Sequence, residues 1–120
     1  MAKMFENLDA WKQATELVIR IYEITAAFPK EEIFGITAQL RRAAISIASN
    51  IAEGAGRKSK KDFRQFTHMA SGSLNEVESL LYISLRLNLL TKEFYTELKE
   101  KVDKVGRLIG GLLRYLDEKK

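Results

Sequence analysis

Apolar residues recur along this chain at steps of three and four, in four separate runs. In the first, from about Leu8 to Ala27, Leu8, Trp11, Ala14, Val18, Ile21, Tyr22 and Thr25 share one helical face, while Lys12, Arg20 and Glu23 fall on others. Phe28-Pro29 closes that run, because proline disfavours helical geometry in the residue before it. The second run, Ile36 to Glu53, carries Ile36, Leu40, Ala43, Ala44, Ile47 and Ile51 as its stripe. Its middle is crowded with small residues, and Ile45 and Ala48 extend the apolar surface beyond one stripe. That helix is expected to meet neighbours on two sides, and Gly54 and Gly56 to supply the flexible backbone that ends it.

The third run opens at Ser59, a good N-cap, with Asp62 three residues on as an approximate capping box. Phe63, Phe66, Ala70, Leu74, Val77, Leu81 and Ser84 form its stripe, which continues to about Leu87. Ser71-Gly72-Ser73 lies inside it. A mid-helix glycine costs about 1 kcal/mol relative to alanine, so Gly72 reads as a packing residue set against Ala43, Ala44 and Ala48. Asn88 to Leu90 makes a turn. The fourth run starts at Thr91 as N-cap, with Glu93 in its first turn. It carries Phe94, Leu98, Val102, Val105, Ile109, Leu112 and Leu116 past a late Gly110-Gly111. Four long amphipathic helices on short connections predict an all-α fold, an antiparallel up-down four-helix bundle. Residues 1–120 read as one domain, and neither repeats nor low-complexity tracts interrupt them.

Composition narrows the chemistry. The hydrophobic fraction of 46% and charged fraction of 30% are those of an ordinary globular protein. Cysteine is absent, which removes disulfides, thiolate metal sites and cysteine nucleophiles together. No apolar stretch reaches signal-peptide or membrane-spanning length, so the expectation is a cytoplasmic protein with no membrane partner. His68 is the only histidine, so one chain can build neither a catalytic triad nor a histidine-rich metal site. Glu76 and Glu78 sit two apart and point in different directions on a helix; they read as solvated or salt-bridged. We expect no enzymatic activity, no cofactor and no metal.

Charge placement adds the one functional signal. Net charge is +4, and residues 57–64, Arg-Lys-Ser-Lys-Lys-Asp-Phe-Arg, hold that whole surplus. Gly54-Ala55-Gly56-Arg57-Lys58-Ser59 is not a nucleotide-binding P-loop, which needs glycine directly before the lysine and a strand upstream. It reads instead as a glycine-relaxed helix end followed by a serine N-cap. A helix N-terminus among Arg57, Lys58, Lys60, Lys61 and Arg64 suits anions, and nucleic-acid phosphate is the obvious polyanion. No aromatic residue is interleaved before Phe63, which belongs to the core, so base stacking has no visible platform in this segment. Such a patch is expected to read backbone rather than sequence.

Several blocks carry a resemblance: Phe5-x-x-Leu8-x-x-Trp11, Phe28-Pro29-x-Glu31-Glu32-x-Phe34-Gly35 and Gln39-Leu40-Arg41-Arg42-Ala43. Two more are Ser49-Asn50-Ile51-Ala52-Glu53-Gly54-x-Gly56-Arg57 and Ala70-x-Gly72-Ser73-Leu74-x-Glu76. Over nearly the whole chain these resemble the bacterial four-helix-bundle family of proteins encoded in intervening sequences of the 23S ribosomal RNA gene. The resemblance implies a left-handed bundle assembling as a ring of five. That family is in turn similar to the accessory protein of diversity-generating retroelements, a basic pentameric barrel that binds nucleic acid and a reverse transcriptase. Implied partners are therefore copies of the chain in a homopentamer, RNA or DNA, and a protein such as a reverse transcriptase. The family supplies no catalytic residues. Its motif positions here, Arg41, Arg42, Asn50, Glu53, Gly54, Gly56 and Arg57, can serve fold, ring or nucleic acid.

The expected function is thus a non-enzymatic oligomeric nucleic-acid-binding protein. Arg57, Lys58, Lys60, Lys61 and Arg64 would contact phosphate, aided by Arg41 and Arg42. The alternative is a structural or adaptor bundle whose ring recruits a protein partner, with the basic turn left in solvent.

Overall fold

Helix boundaries fall where the local chemistry of the chain places them, with one informative exception. A computed structural model describes residues 4–117 as four helices, α1 (Asp9–Thr25), α2 (Ile36–Ala55), α3 (Lys60–Arg86) and α4 (Lys92–Asp117). Single 3₁₀ turns lie at Met4–Asn7 and Lys30–Glu32. Ser59 caps α3, its Oγ accepting the Asp62 N–H at 3.1 Å, and Thr91 Oγ1 accepts the Phe94 N–H at 3.1 Å to cap α4. At the other end of α3, Asn88 takes the left-handed conformation with φ 61°. The Leu89 N–H then reaches Ser84 O at 3.0 Å and the Asn88 N–H reaches Leu85 O at 3.1 Å. These two bonds close the last helical carbonyls, and asparagine tolerates the geometry better than most side chains. Buried Leu90 seals the turn.

The exception is the end of α2. The helix continues through Gly54 to Ala55, and no described glycine has positive φ. Gly54 is buried there rather than relaxing a turn. A Cβ at this position would stand 2.8 Å from Phe66 Cβ and 2.9 Å from Phe63 Cδ1. Glycine is required because α3 passes too close to α2 for any side chain.

Contacts between helices fix the topology. Along α2 and α3, Gln39 meets Glu76, Ser46 meets Ser73, and Gly54 meets Phe63. Along α3 and α4, Arg64 meets Asp117 and Glu78 meets Lys99. In each pair one number rises as the other falls, so the neighbours run antiparallel. Arg41 against Thr25, and Trp11 opposite Ala52 across one groove, give the same relation for α1 and α2. Helix α4 packs on α1 as well as α3, closing the up-down bundle. It is an elongated body of 49 × 24 × 21 Å.

The core is a column of Leu17, Ile21, Leu40, Ile47, Ile51, Leu81, Leu98 and Ile109. Each such side chain contributes about 1.5–3 kcal/mol relative to leaving it exposed. A smaller cluster of Ala55, Phe63 and Leu116, with Phe5, Leu8 and Leu112 against it, closes one end. Two expectations change. Helix α1 is turned so that Ala10, Leu17 and Ile24 face the core, leaving Trp11 and Val18 half-buried at its edge and Tyr22 exposed. And Gly72 is not a packing residue: it faces solvent, and a Cβ there would meet nothing within 4 Å. The close approach assigned to Gly72 occurs at Gly54, while beside Gly72 the helices meet through Ser73 Oγ and Ser46 Oγ at 2.9 Å.

Candidate nucleic-acid interface

The α2–α3 turn sits at one end of the bundle, over the small Ala55–Phe63–Leu116 cluster. The end of α2, held against α3 by Gly54, and the Ser59 cap together make a tight corner. Arg57, Lys58, Lys60 and Lys61 are all exposed on it, and Arg64 is half-buried one turn further on. The five cations that the sequence groups therefore share one end of the molecule.

Their surroundings differ. Arg57 Nη2 donates to Glu53 Oε2 at 2.7 Å, and its guanidinium lies 4.8 Å from the centre of the Phe66 ring. Arg64 Nη1 donates to Asp117 Oδ1 on α4 at 2.9 Å. Both arginines are thus partly neutralised and held in place. Lys58, Lys60 and Lys61 make no ion pair among the described residues, so their charge is open to an incoming anion. Lys60 Nζ sits 4.7 Å from the centre of the Tyr115 ring. An ammonium in that position is attracted by the ring's electron-rich face.

Tyr115 is the member of this site that sequence reasoning missed. It belongs to the last turn of α4, more than fifty residues beyond the turn, and it is 51% exposed. A cleft of about 170 Å³ lies here, its floor made by Ala55, Phe63 and Leu116, its rim by Lys58, Lys60 and Tyr115. An aromatic surface therefore does stand among the bases, contrary to what the segment alone implied. A signal was present, since Tyr115 falls off the apolar stripe of its own helix. Only the antiparallel packing of α3 and α4 shows where it goes.

Arg41 and Arg42 are not brought to this end. Arg41 lies in the second turn of α2 and Arg57 just past its far terminus, roughly 24 Å apart at the rise of an α-helix. Arg41 Nε donates to Thr25 Oγ1 at 3.0 Å, and its guanidinium stacks 4.4 Å from the centre of the Tyr22 ring. It ties α2 to α1. Arg42 is exposed on the same stretch.

Elsewhere the surface is balanced. A broad hollow of about 510 Å³ along α1 and α4 mixes Glu97, Glu100 and Asp103 with Lys101, Lys104 and Arg107. On its border Arg20 Nη2 donates to Glu97 Oε1 at 2.9 Å, and this bonding raises the arginine's pKa and lowers that of the carboxyl. Lys99 is held in its charged form by Asp103 and Glu78. His68 is exposed, and no group of acidic or histidine residues among those described could hold a metal ion. No helix among the described residues is long and apolar enough to cross a membrane.

Fold and site define an antiparallel four-helix bundle with three neighbouring lysines, free of ion pairs among the described residues, on one terminal turn. The chain belongs to the 23S rRNA-intervening sequence protein family, whose model matches residues 6–111. It is similar to the crystal structure of a protein with unknown function from the S23 ribosomal protein family of Bacteroides thetaiotaomicron. That similarity has a TM-score of 0.82 at 23% identity, covers 92% of this chain and 99% of that one, and shows a common fold. No curated protein matches the chain.

Proposed function

We propose that the protein is a non-enzymatic, self-associating nucleic-acid-binding bundle that grips phosphate through its basic end. The observation that carries this reading is the trio Lys58, Lys60 and Lys61, exposed together and without acidic partners among the described residues. Arg57 and Arg64 flank the trio, each paired with a carboxylate of its own.

Self-association is supported by a second surface. An open apolar groove of about 270 Å³ runs between α1 and α2, lined chiefly by Trp11, Val18, Ile45, Ala48 and Ala52. The occupant we assign to it is another copy of the chain, and the family resemblance supports a ring of five. A ring repeats the basic end in every subunit, so individually weak phosphate contacts act together through effective concentration.

A salt titration of binding to an RNA or DNA oligomer tests the reading. With three lysines engaged per subunit, log K falls against log salt with a slope of about −2 to −3 for each subunit in contact. Absence of binding at low salt would leave the bundle as a protein adaptor. Light scattering coupled to size exclusion tests the assembly, and a monomer at micromolar concentration would overturn it.

A further inference from the structure

We propose that the basic end prefers single-stranded nucleic acid and holds one unpaired base against Tyr115. This rests on the phosphate-binding reading above and deepens it. Phosphate contacts alone make no distinction between a flexible strand and a duplex beyond charge density. An aromatic side chain beside them does, because only an unpaired base can leave its neighbours and present its face.

The geometry supplies both halves of such a contact. Tyr115 is half open to solvent, and Lys60 Nζ lies over its ring, 4.7 Å from the centre, so a base reaches that face as the lysine swings off it towards the strand's phosphate. A base stacked on the ring would place the adjoining phosphate within reach of Lys60, with Lys58 on the same rim. Beneath them lies the apolar floor of Ala55, Phe63 and Leu116. A second cation–aromatic pair, Arg57 over Phe66, stands on the α2 side of the corner. Its guanidinium plane is a further surface on which a neighbouring base can lie. In a duplex the bases are paired and stacked within the helix, and Tyr115 would face only sugar and phosphate.

The test uses fluorescence anisotropy with three labelled probes of equal length: oligothymidylate, its abasic counterpart, and a DNA duplex. Wild-type protein should bind oligothymidylate about tenfold more tightly than the abasic strand, within the range that one base–aromatic stack produces. It should also prefer the single strand to the duplex. Tyr115→Leu, which keeps apolar bulk but removes the ring, should erase the advantage over the abasic strand. Tyr115→Trp should retain the advantage, and circular dichroism should show all variants equally helical. Equal affinity of wild type for the thymidylate and abasic strands would overturn the stacking contact. So would a Tyr115→Leu variant that keeps the preference. In both of those cases the phosphate-binding function stands. Failure of wild type to bind any probe at low salt would overturn both proposals.

Discussion

The two ends of the bundle place positive charge differently. At the end formed by the α1–α2 and α3–α4 turns, three arginines bond within the protein, and the exposed cations Lys30, Arg42 and Lys92 are dispersed over different elements. Arg41 bonds Thr25 and covers Tyr22, Arg20 clamps Glu97 and lies near Phe94, and Arg86 reaches Tyr82. At the α2–α3 end, two arginines are paired but three lysines are left without a carboxylate among the described residues. A cation already bonded by its own fold gains little from a phosphate, whereas a solvated lysine can exchange a counterion for one. Counting basic residues would treat the two ends alike. Only the second sets three lysines without ion pairs side by side on one turn.

Charge reversal gives the largest test of that contrast. Lys58→Glu, Lys60→Glu and Lys61→Glu together should weaken nucleic-acid binding on the order of a hundredfold or more at fixed salt. Reversing exposed Arg42 should change it by less than about twofold, because that charge lies beyond the screening distance of the basic end. Anisotropy titrations compare the two directly.

The next effect concerns the corner that carries the lysines. Gly54→Ala should destabilise the fold by about 1–3 kcal/mol through overpacking against Phe63 and Phe66. Gly72→Ala should instead stabilise an isolated chain by up to about 1 kcal/mol, since its Cβ enters open space in a helix. Urea denaturation midpoints read both. An unchanged midpoint for Gly54→Ala would mean that α3 can yield at this contact and that the corner is not rigid.

At the opposite end, Arg41→Ala should cost about 1 kcal/mol of stability and leave nucleic-acid affinity unchanged. The cost stays small because Thr25 Oγ1 keeps its own bond to Ile21 O at 2.7 Å. A fall in affinity with unchanged stability would assign Arg41 to binding after all. A smaller change is expected from Asp117→Asn, which releases Arg64 from its partner. Binding should tighten by about two- to threefold, with a slightly steeper salt dependence.

The smallest effect is one of acidity. Arg20 holds the Glu97 carboxyl below its ordinary value of 4.5. A depressed carboxyl pKa stabilises the fold above that value, and the contribution is lost as pH falls through the folded-state pKa. Wild type should therefore melt slightly above Glu97→Gln near neutrality. The difference should vanish in acid, as thermal melts across that range will show.

The spacing of apolar residues by itself determined the four helices, and local chemistry set most of their limits. Ser59, Thr91 and Asn88 act within a few residues of where they stand, so their roles are legible without a partner. The excess apolar surface of α2 was legible too, in Ile45 and Ala48. Three things waited on tertiary structure, because each depends on how close two distant segments come. The first is which glycine bears the close helix contact: Gly54 reads as a helix end and Gly72 as the packing residue, but it is Gly54 that has carbons of Phe63 and Phe66 within 3 Å of where its Cβ would be. The second is the division of the arginines: Arg41 and Arg64 are alike in sequence, and each finds its partner, Thr25 or Asp117, on another helix. The third is Tyr115, which joins the basic turn because α4 runs antiparallel to α3 and ends beside the point where α3 begins. Periodicity tells which face of a helix is apolar. Only packing tells what the other faces meet.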